Sequence, residues 1–157
     1  MSYDFNADDV FEMAEQIERN GAAFYRQAAA DIPDPDAEAF LLDLAAMEDN
    51  HEKTFADMRK KLSEKEKAAT VFDPDGETAG YLKALADTRV FFEKEIDTTS
   101  LKAILKAAIL AEKDSIVFYL GMKDLVPGEL GQSRLDDIIK EEMSHINLLS
   151  RRLIATK

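Results

Sequence analysis

The chain of 157 residues contains no cysteine. This absence excludes a disulfide, a thiolate nucleophile and an iron–sulfur cluster bound by the chain's own thiolates. If the protein carries out redox chemistry, its electrons must therefore come from a separate donor.

Glycine and proline are scarce, with six and four copies. Alanine, leucine, lysine and glutamate are common, and these residues favour helices, so the composition predicts an all-α protein. With 46% hydrophobic and 33% charged residues, the chain suits a soluble protein with one core. We expect a single domain over residues 1–157.

Long apolar runs are also missing, since no segment approaches the ~18 uncharged apolar residues of a membrane span. The acidic start lacks the basic and apolar regions of a signal peptide, so we expect a cytoplasmic protein without membrane association. The net charge of −12 repels nucleic acid and anionic membranes, while it concentrates cations near the protein. Nucleic-acid binding is therefore not expected.

The chain has two histidines, and both stand in the same pattern. Each follows one glutamate by three residues and a second glutamate by 33 residues. We interpret the repeated pattern as a duplicated metal site. Its residues are Glu18, Glu48, His51, Glu112, Glu142 and His145.

A shift of the sequence by 94 residues superimposes the two halves of the chain. The match extends beyond the candidate ligands to aromatic, apolar and proline positions, so both halves follow one plan. The further matched pairs are Phe24 with Phe118, Tyr25 with Tyr119, Pro33 with Pro127, Leu41 with Leu135, and Asp43 with Asp137.

Apolar residues at alternating spacings of three and four predict four helices, arranged as hairpins over residues 7–63 and 100–155. In each helix a glutamate interrupts the apolar row. The two glutamates of each half are 30 residues apart, and Pro33 or Pro127 lies midway between them. At ~1.5 Å per residue, both glutamates lie about 22 Å from the turn, so they return to one level on facing helices.

Segment 64–99 lies outside the repeat and predicts a long crossover. Such a connection is needed because the second and third helices must run parallel. Asp73-Pro-Asp-Gly76 predicts a turn, and the apolar spacing that follows suggests a short extra helix. Its apolar side chains either complete the core, the reading we favour, or cover a partner surface.

Four carboxylates in an apolar interior are unfavourable unless protons or cations neutralise them. Two divalent ions would balance four glutamates, and a mixed imidazole and carboxylate set suits iron, manganese or zinc. We therefore expect a dinuclear centre. The alternative is a pair of solvated Glu–His contacts on helix surfaces.

With these motifs the chain resembles the rubrerythrin branch of the ferritin-like di-iron proteins over nearly its whole length. The resemblance implies a ferritin-like four-helix bundle with two iron ions. It also implies that Glu18 with His51 holds one iron, that Glu112 with His145 holds the other, and that Glu48 and Glu142 bridge them. The motifs that carry it are Glu18-Arg-Asn-Gly-Ala-Ala-Phe-Tyr25, Glu48-x-x-His51, Glu112-x-x-Ser-x-x-Phe-Tyr119 and Glu142-x-x-His145.

The resemblance implies reduction of hydrogen peroxide, with a separate electron donor protein because no rubredoxin tail follows the last helix. It also implies a homodimer, since segment 64–99 contains a predicted helix where ferritin cages usually have an extended strand. Family members often carry one more glutamate in the third helix, which takes part in an iron movement; here that position is Ser115. The alternatives are a ferroxidase that handles iron with oxygen, and a structural protein stabilised by its metals.

Tyr25 and Tyr119 follow the first glutamate of each half by seven residues, so they share its helix face two turns away. Each hydroxyl could bind a carboxylate or donate an electron in catalysis, or the ring could merely fill the core. Glu15, Glu52 and Glu141 flank the buried rows, and we expect them to be solvated. The methionines are expected to fill the core.

Overall fold

Four helices form the part of the chain that the computed structural model describes, which comprises residues 7–62, 84, 98–123, 126 and 128–156. They are α1 (Ala7–Asp31), α2 (Pro35–Lys60), α3 (Leu101–Met122) and α4 (Glu129–Ala155). There is no strand within these residues, which confirms the all-α prediction. None of the helices there is both long enough and apolar enough to cross a membrane.

The helix ends follow from local capping chemistry. The Asp34 side chain accepts a hydrogen bond from the Asp36 amide, and Pro35 opens α2 with its φ already helical. The Ser100 hydroxyl accepts from the Ala103 amide at 3.2 Å, so the predicted start of the third helix is confirmed. The predicted end of the second helix near residue 63 is wrong by three residues, because α2 ends at Lys60.

The directions of the helices are fixed by a contact between distant parts of the chain. The Thr98 hydroxyl donates to the Asp31 carboxylate at 2.8 Å, so α3 begins beside the end of α1 and the start of α2. Helices α2 and α3 therefore run parallel, as expected. Since α2 has 26 residues, its end lies about 39 Å along the bundle from the level at which α3 begins. The short helix expected within 64–99 lies outside the described residues.

The buried faces of the helices coincide with the predicted apolar rows. The residues of these rows that the structure describes are buried except Leu101, which is partly buried, whereas the methionines expected in the core include two exposed ones, Met47 and Met143. Aromatic rings connect the helices, because Phe55 lies 6.4 Å from Phe11 and 5.2 Å from Tyr119 between ring centroids. The candidate metal ligands interrupt this core at its middle.

Ion pairs on the outside hold α2 against α1. Arg59 donates to Asp8 at 2.7 Å and to Glu15 at 2.9 Å, and Arg19 donates to Glu52 at 2.7 Å. The expectation that Glu15 is solvated is wrong, because its side chain is 13% exposed and lies under the Arg59 guanidinium. Glu52 is only one-quarter exposed.

Loss of the Ser100 cap should destabilise the start of α3. We expect Ser100→Ala to lower the free energy of unfolding by about 1 kcal/mol, since the Ala103 amide loses its acceptor. The measurement is chemical denaturation of the metal-free protein. Ser144→Ala, at an exposed position inside α4, is the matched control and should change stability little. An equal loss in both variants would contradict the capping role.

Candidate metal centre

The six predicted ligands converge at the centre of the bundle, and each helix supplies at least one of them. Helices α1 and α3 each contribute one glutamate, whereas α2 and α4 each contribute a glutamate and a histidine. None of the six is more than 3% exposed. The alternative, in which solvated Glu–His pairs lie on helix surfaces, is therefore wrong for these residues. The six are Glu18, Glu48, His51, Glu112, Glu142 and His145.

Both imidazoles turn Nδ1 toward the carboxylates. His51 Nδ1 lies 2.8 Å from Glu142 Oε1 and 3.5 Å from Glu18 Oε2. The two imidazole rings stack with their centroids 5.6 Å apart and their planes 18° apart. One nitrogen of each ring thus points into the shared interior.

His145 has a corresponding environment. Its Nδ1 lies 3.2 Å from Glu48 Oε1, 3.4 Å from Glu112 Oε1 and 3.4 Å from Glu142 Oε2. Glu142 therefore approaches both imidazoles, one with each of its carboxylate oxygens.

The ligand atoms form two overlapping groups, within each of which they lie no more than 4.8 Å apart. Glu48 and Glu142 belong to both groups, as residues that bridge two ions must. The first group adds Glu18 and His51, and the second adds Glu112 and His145. The residues present thus fit a pair of metal ions with two shared carboxylates.

Buried atoms without hydrogen bonds support the same fit. Both Glu142 oxygens and both histidine Nδ1 atoms are buried and find no hydrogen-bond partner among the described residues. His51 Nδ1 and Glu142 Oε1 are only 2.8 Å apart, but they lack hydrogen-bond geometry, so the proximity does not satisfy either atom. Such atoms are costly to bury unless a cation or a proton satisfies them. The remaining atoms of this kind are Glu18 Oε2, Glu48 Oε1 and Glu112 Oε2.

Burial and mutual repulsion favour the protonated form of three of the carboxyl groups when no cation neutralises them. Desolvation, followed by repulsion from Glu142, raises the pKa of Glu18 from 4.5 to about 7. Desolvation and the charges of Glu18 and Glu142 raise the pKa of Glu48 well above its ordinary value. The pKa of Glu142 is also raised, by desolvation and by Glu112.

The histidines shift in the direction that favours their charged form. Desolvation lowers the pKa of His51, but its contacts with Glu142 and Glu18 outweigh that effect and raise the pKa to about 12. The pKa of His145 also rises to about 12, because contacts with Glu112, Glu142 and Glu48 outweigh desolvation. In the metal-free protein at pH 7, both imidazoles therefore compensate carboxylate charge.

The two tyrosines bind carboxylates across the bundle. Tyr25 on α1 donates its hydroxyl to Glu112 on α3 at 2.6 Å, and Tyr119 on α3 donates to Glu18 on α1. Burial and the neighbouring carboxylates raise the pKa of both hydroxyls well above 10, so they stay protonated. Each tyrosine thus meets the glutamate of the facing helix rather than that of its own helix.

The outer nitrogens of the two imidazoles have different partners. His51 Nε2 lies 2.6 Å from Glu141 Oε2, whereas His145 Nε2 lies 3.1 Å from Met47 Sδ. Glu141 is solvated as expected, since its side chain is 61% exposed, and it also contacts the buried His51 ring. The core-filling prediction is wrong for Met47 and Met143, which are 37% and 52% exposed. The 94-residue shift could have identified the pair, since it places Met47 on Glu141.

The Ser115 hydroxyl binds a backbone carbonyl of its own helix, α3. The side chain is buried and its hydroxyl donates to the Ala111 carbonyl at 3.1 Å. This backbone hydrogen bond occupies the hydroxyl proton, and the short side chain carries no carboxylate. The position thus supplies no seventh carboxyl ligand.

Comparison with known proteins identifies a matching family and a similar fold. The rubrerythrin family model matches residues 9–153. A solved structure described as a ferritin-like diiron-carboxylate protein from Thermotoga maritima is similar, with a TM-score of 0.72 and 24% identity. The match covers 98% of this chain and 97% of that one, which shows a shared fold. No curated protein matches the sequence.

Metal loading should release protons from the histidines. At pH 7 both imidazoles start protonated, and each must free Nδ1 to bind a metal ion, so we expect at least two protons per pair of ions. Glu18, with a pKa of about 7, adds part of another proton. Calorimetric titration with Zn²⁺ in two buffers of different ionisation enthalpy measures the number.

The same shifts give the pH dependence of the metal-free fold. Protonated Glu18 stabilises it fully below pH 4.5, and this contribution is lost as the pH rises through 7. The histidine contribution is full below pH 6.5 and is lost only as the pH rises through about 12. The unfolding free energy should therefore fall between pH 5 and 7 in the metal-free protein more than in the loaded one.

In the calorimetric titration with Zn²⁺, release of fewer than one proton per pair of ions would contradict the pKa shifts of the histidines and Glu18.

Removal of a shared carboxylate should abolish stable binding of two metals. We expect Glu48→Ala and Glu142→Ala each to lose the two-ion stoichiometry, because either change removes a ligand from both groups. Equilibrium dialysis followed by elemental analysis measures bound metal. Glu38→Ala, which removes an exposed carboxylate from the first turn of α2, is the control and should retain two ions. Two tightly bound ions in Glu48→Ala would overturn the bridging assignment.

Proposed function

Since the chain belongs to the rubrerythrin family, we propose that it is a non-haem di-iron oxidoreductase that reduces hydrogen peroxide. The observation that carries the proposal is the pair of overlapping ligand groups that share Glu48 and Glu142. A shared pair of carboxylates keeps two ions close enough to act on one substrate molecule. In this proposal Glu18 with His51 binds one iron, and Glu112 with His145 binds the other.

Two ferrous ions bound by these residues would supply the two electrons that, with two protons, convert one hydrogen peroxide to two water molecules. The chain positions these ions in an interior from which bulk water is excluded, since no proposed ligand is more than 3% exposed. With no cysteine in the chain, re-reduction depends on a separate electron donor protein.

In this reaction the two tyrosines orient ligands. Tyr25 holds Oε1 of Glu112, and Tyr119 holds Oε1 of Glu18. The Oε2 atom of each carboxylate is buried without a partner among the described residues, and Glu18 Oε2 lies 3.5 Å from His51 Nδ1. Because their pKa values are raised well above 10, both hydroxyls remain donors at neutral pH. Either tyrosine is also a candidate electron donor in catalysis, because both hydroxyls bind carboxylates of the proposed ligands.

A second candidate is a ferroxidase that oxidises ferrous iron with oxygen and passes the ferric product on. Ser115 favours it, because this buried residue is bonded to the Ala111 carbonyl and offers no extra carboxylate to a moving iron. A purely structural role for the metals is the third possibility, and sustained turnover with a reductant would rule it out. The predicted homodimer and cytoplasmic location accompany all three.

The oxidant distinguishes these functions. We expect the anaerobic protein to bind two ferrous ions and to be oxidised at least tenfold faster by hydrogen peroxide than by oxygen, as the proposed peroxidase activity requires. Stopped-flow absorbance of the ferric product measures both rates. Faster oxidation by oxygen with continued iron uptake would favour the ferroxidase and contradict the peroxidase. Failure to bind two ferrous ions would contradict both.

Ser115→Glu tests the missing carboxylate in the same assay. If ligand exchange contributes to peroxide reduction, this variant changes the rate with peroxide and leaves the iron stoichiometry at two. Ser144→Glu, on an exposed part of α4, controls for the added charge.

A further inference from the structure

The two halves of the site match in every proposed ligand but differ behind the histidines. Glu141 and Met47 each precede a shared glutamate by one residue, and the 94-residue shift superimposes them. Glu141 lies on α4 and meets His51 of α2, while Met47 lies on α2 and meets His145 of α4. Equivalent positions thus carry a carboxylate on one side and a thioether on the other.

The hydrogen-bond chemistry of the two contacts is unequal. With Nδ1 directed toward the cluster as a ligand, Nε2 carries the proton, which His51 donates to Glu141 Oε2 at 2.6 Å. A charged acceptor strengthens the bond, fixes the ring orientation and makes Nδ1 a better ligand. The thioether sulfur of Met47, 3.1 Å from His145 Nε2, is a weak acceptor and contributes little of this effect.

The remaining contacts of the rings do not compensate for this difference. Glu141 keeps one side open to water and is 61% exposed, so its charge costs little desolvation while it contacts a ring that is 3% exposed. His145 is equally buried, and its contacts with carboxylates of the described residues are all made through Nδ1, on the ligand side of the ring. The orientation of its ring depends on packing against Met47 and on the stacked His51 ring.

We propose that the two metal positions are intrinsically unequal: the position at His51 fills first and binds more tightly, and Glu141 is the positioning residue that creates the difference. The position at His145 then holds the more exchangeable ion. The inference rests on the two-metal centre of the proposed function, although it does not depend on reaction with peroxide. Although both residues are exposed, Glu141 and Met47 thus set the affinity of the two metal positions through His51 and His145.

Imidazole NMR can follow each position separately, because His51 and His145 are the only histidines in the sequence. With ¹⁵N-labelled protein and Zn²⁺ as the probe, we expect one equivalent to move the His51 Nδ1 signal to its metal-bound position while the His145 signal stays. The second equivalent should then move His145. Assignment follows from the spectra of His51→Gln and His145→Gln.

Variants at the outer positions test the cause. Glu141→Gln should weaken the first binding step about tenfold or more, so that both histidine signals move together. Met47→Glu should strengthen the second step by a similar factor, because it gives His145 a carboxylate acceptor. Asp137→Asn removes one exposed charge a single turn earlier on α4 and should leave both steps unchanged.

Simultaneous shifts of both histidines in the unmodified protein, or an earlier shift of His145, would overturn the inference. An equal effect of Glu141→Gln and Asp137→Asn would also overturn it, since net charge would then explain the change. Absence of zinc binding would overturn the metal centre together with this inference. Ordered zinc binding in a protein whose ferrous form ignores peroxide would support the inference and contradict only the proposed reaction.

Discussion

Charge compensation of four buried glutamates is the constraint on which the rest of the structure depends. All four carboxyl groups are buried, and the raised pKa values of Glu18, Glu48 and Glu142 express the cost of that burial. Protons and two imidazolium rings can meet the cost in the metal-free protein. Two divalent cations meet it with four carboxylates and neutral imidazoles, so metal and proton compete for the same atoms.

This constraint explains the hydrogen bonds around the carboxylates. Tyr25 and Tyr119 donate to carboxylate oxygens, and because each hydroxyl reaches across the bundle it also ties α1 to α3. The Phe55 ring packs against the rings of Phe11 and Tyr119, so it helps to hold Tyr119 in place. A rigid surrounding core keeps the ligand atoms within bonding distance of a common point instead of letting them separate into solvent.

The sequence was most informative about features that depend on the spacing of residues along a helix. Helical spacing predicted the buried rows, and equal arm lengths predicted that Glu18 and Glu48 return to one level. Contacts between helices were harder to predict, because spacing along one helix does not determine which side chain of a neighbouring helix lies opposite. This is why the tyrosines were assigned to the correct faces without their partners, and why Glu141 and Met47 were missed as contacts of His51 and His145.

The internal repeat also has a consequence for symmetry. Two separate copies of a single hairpin could assemble the same four-carboxylate cluster, but a twofold axis would force identical residues onto both sides. Joining the halves in one chain removes that restriction, so each side can change alone. The 94-residue shift superimposes Gly21 on Ser115 and Met47 on Glu141, and both pairs are differences of this kind. Covalent fusion therefore permits a division of labour between two ions that a symmetric assembly would have to treat alike.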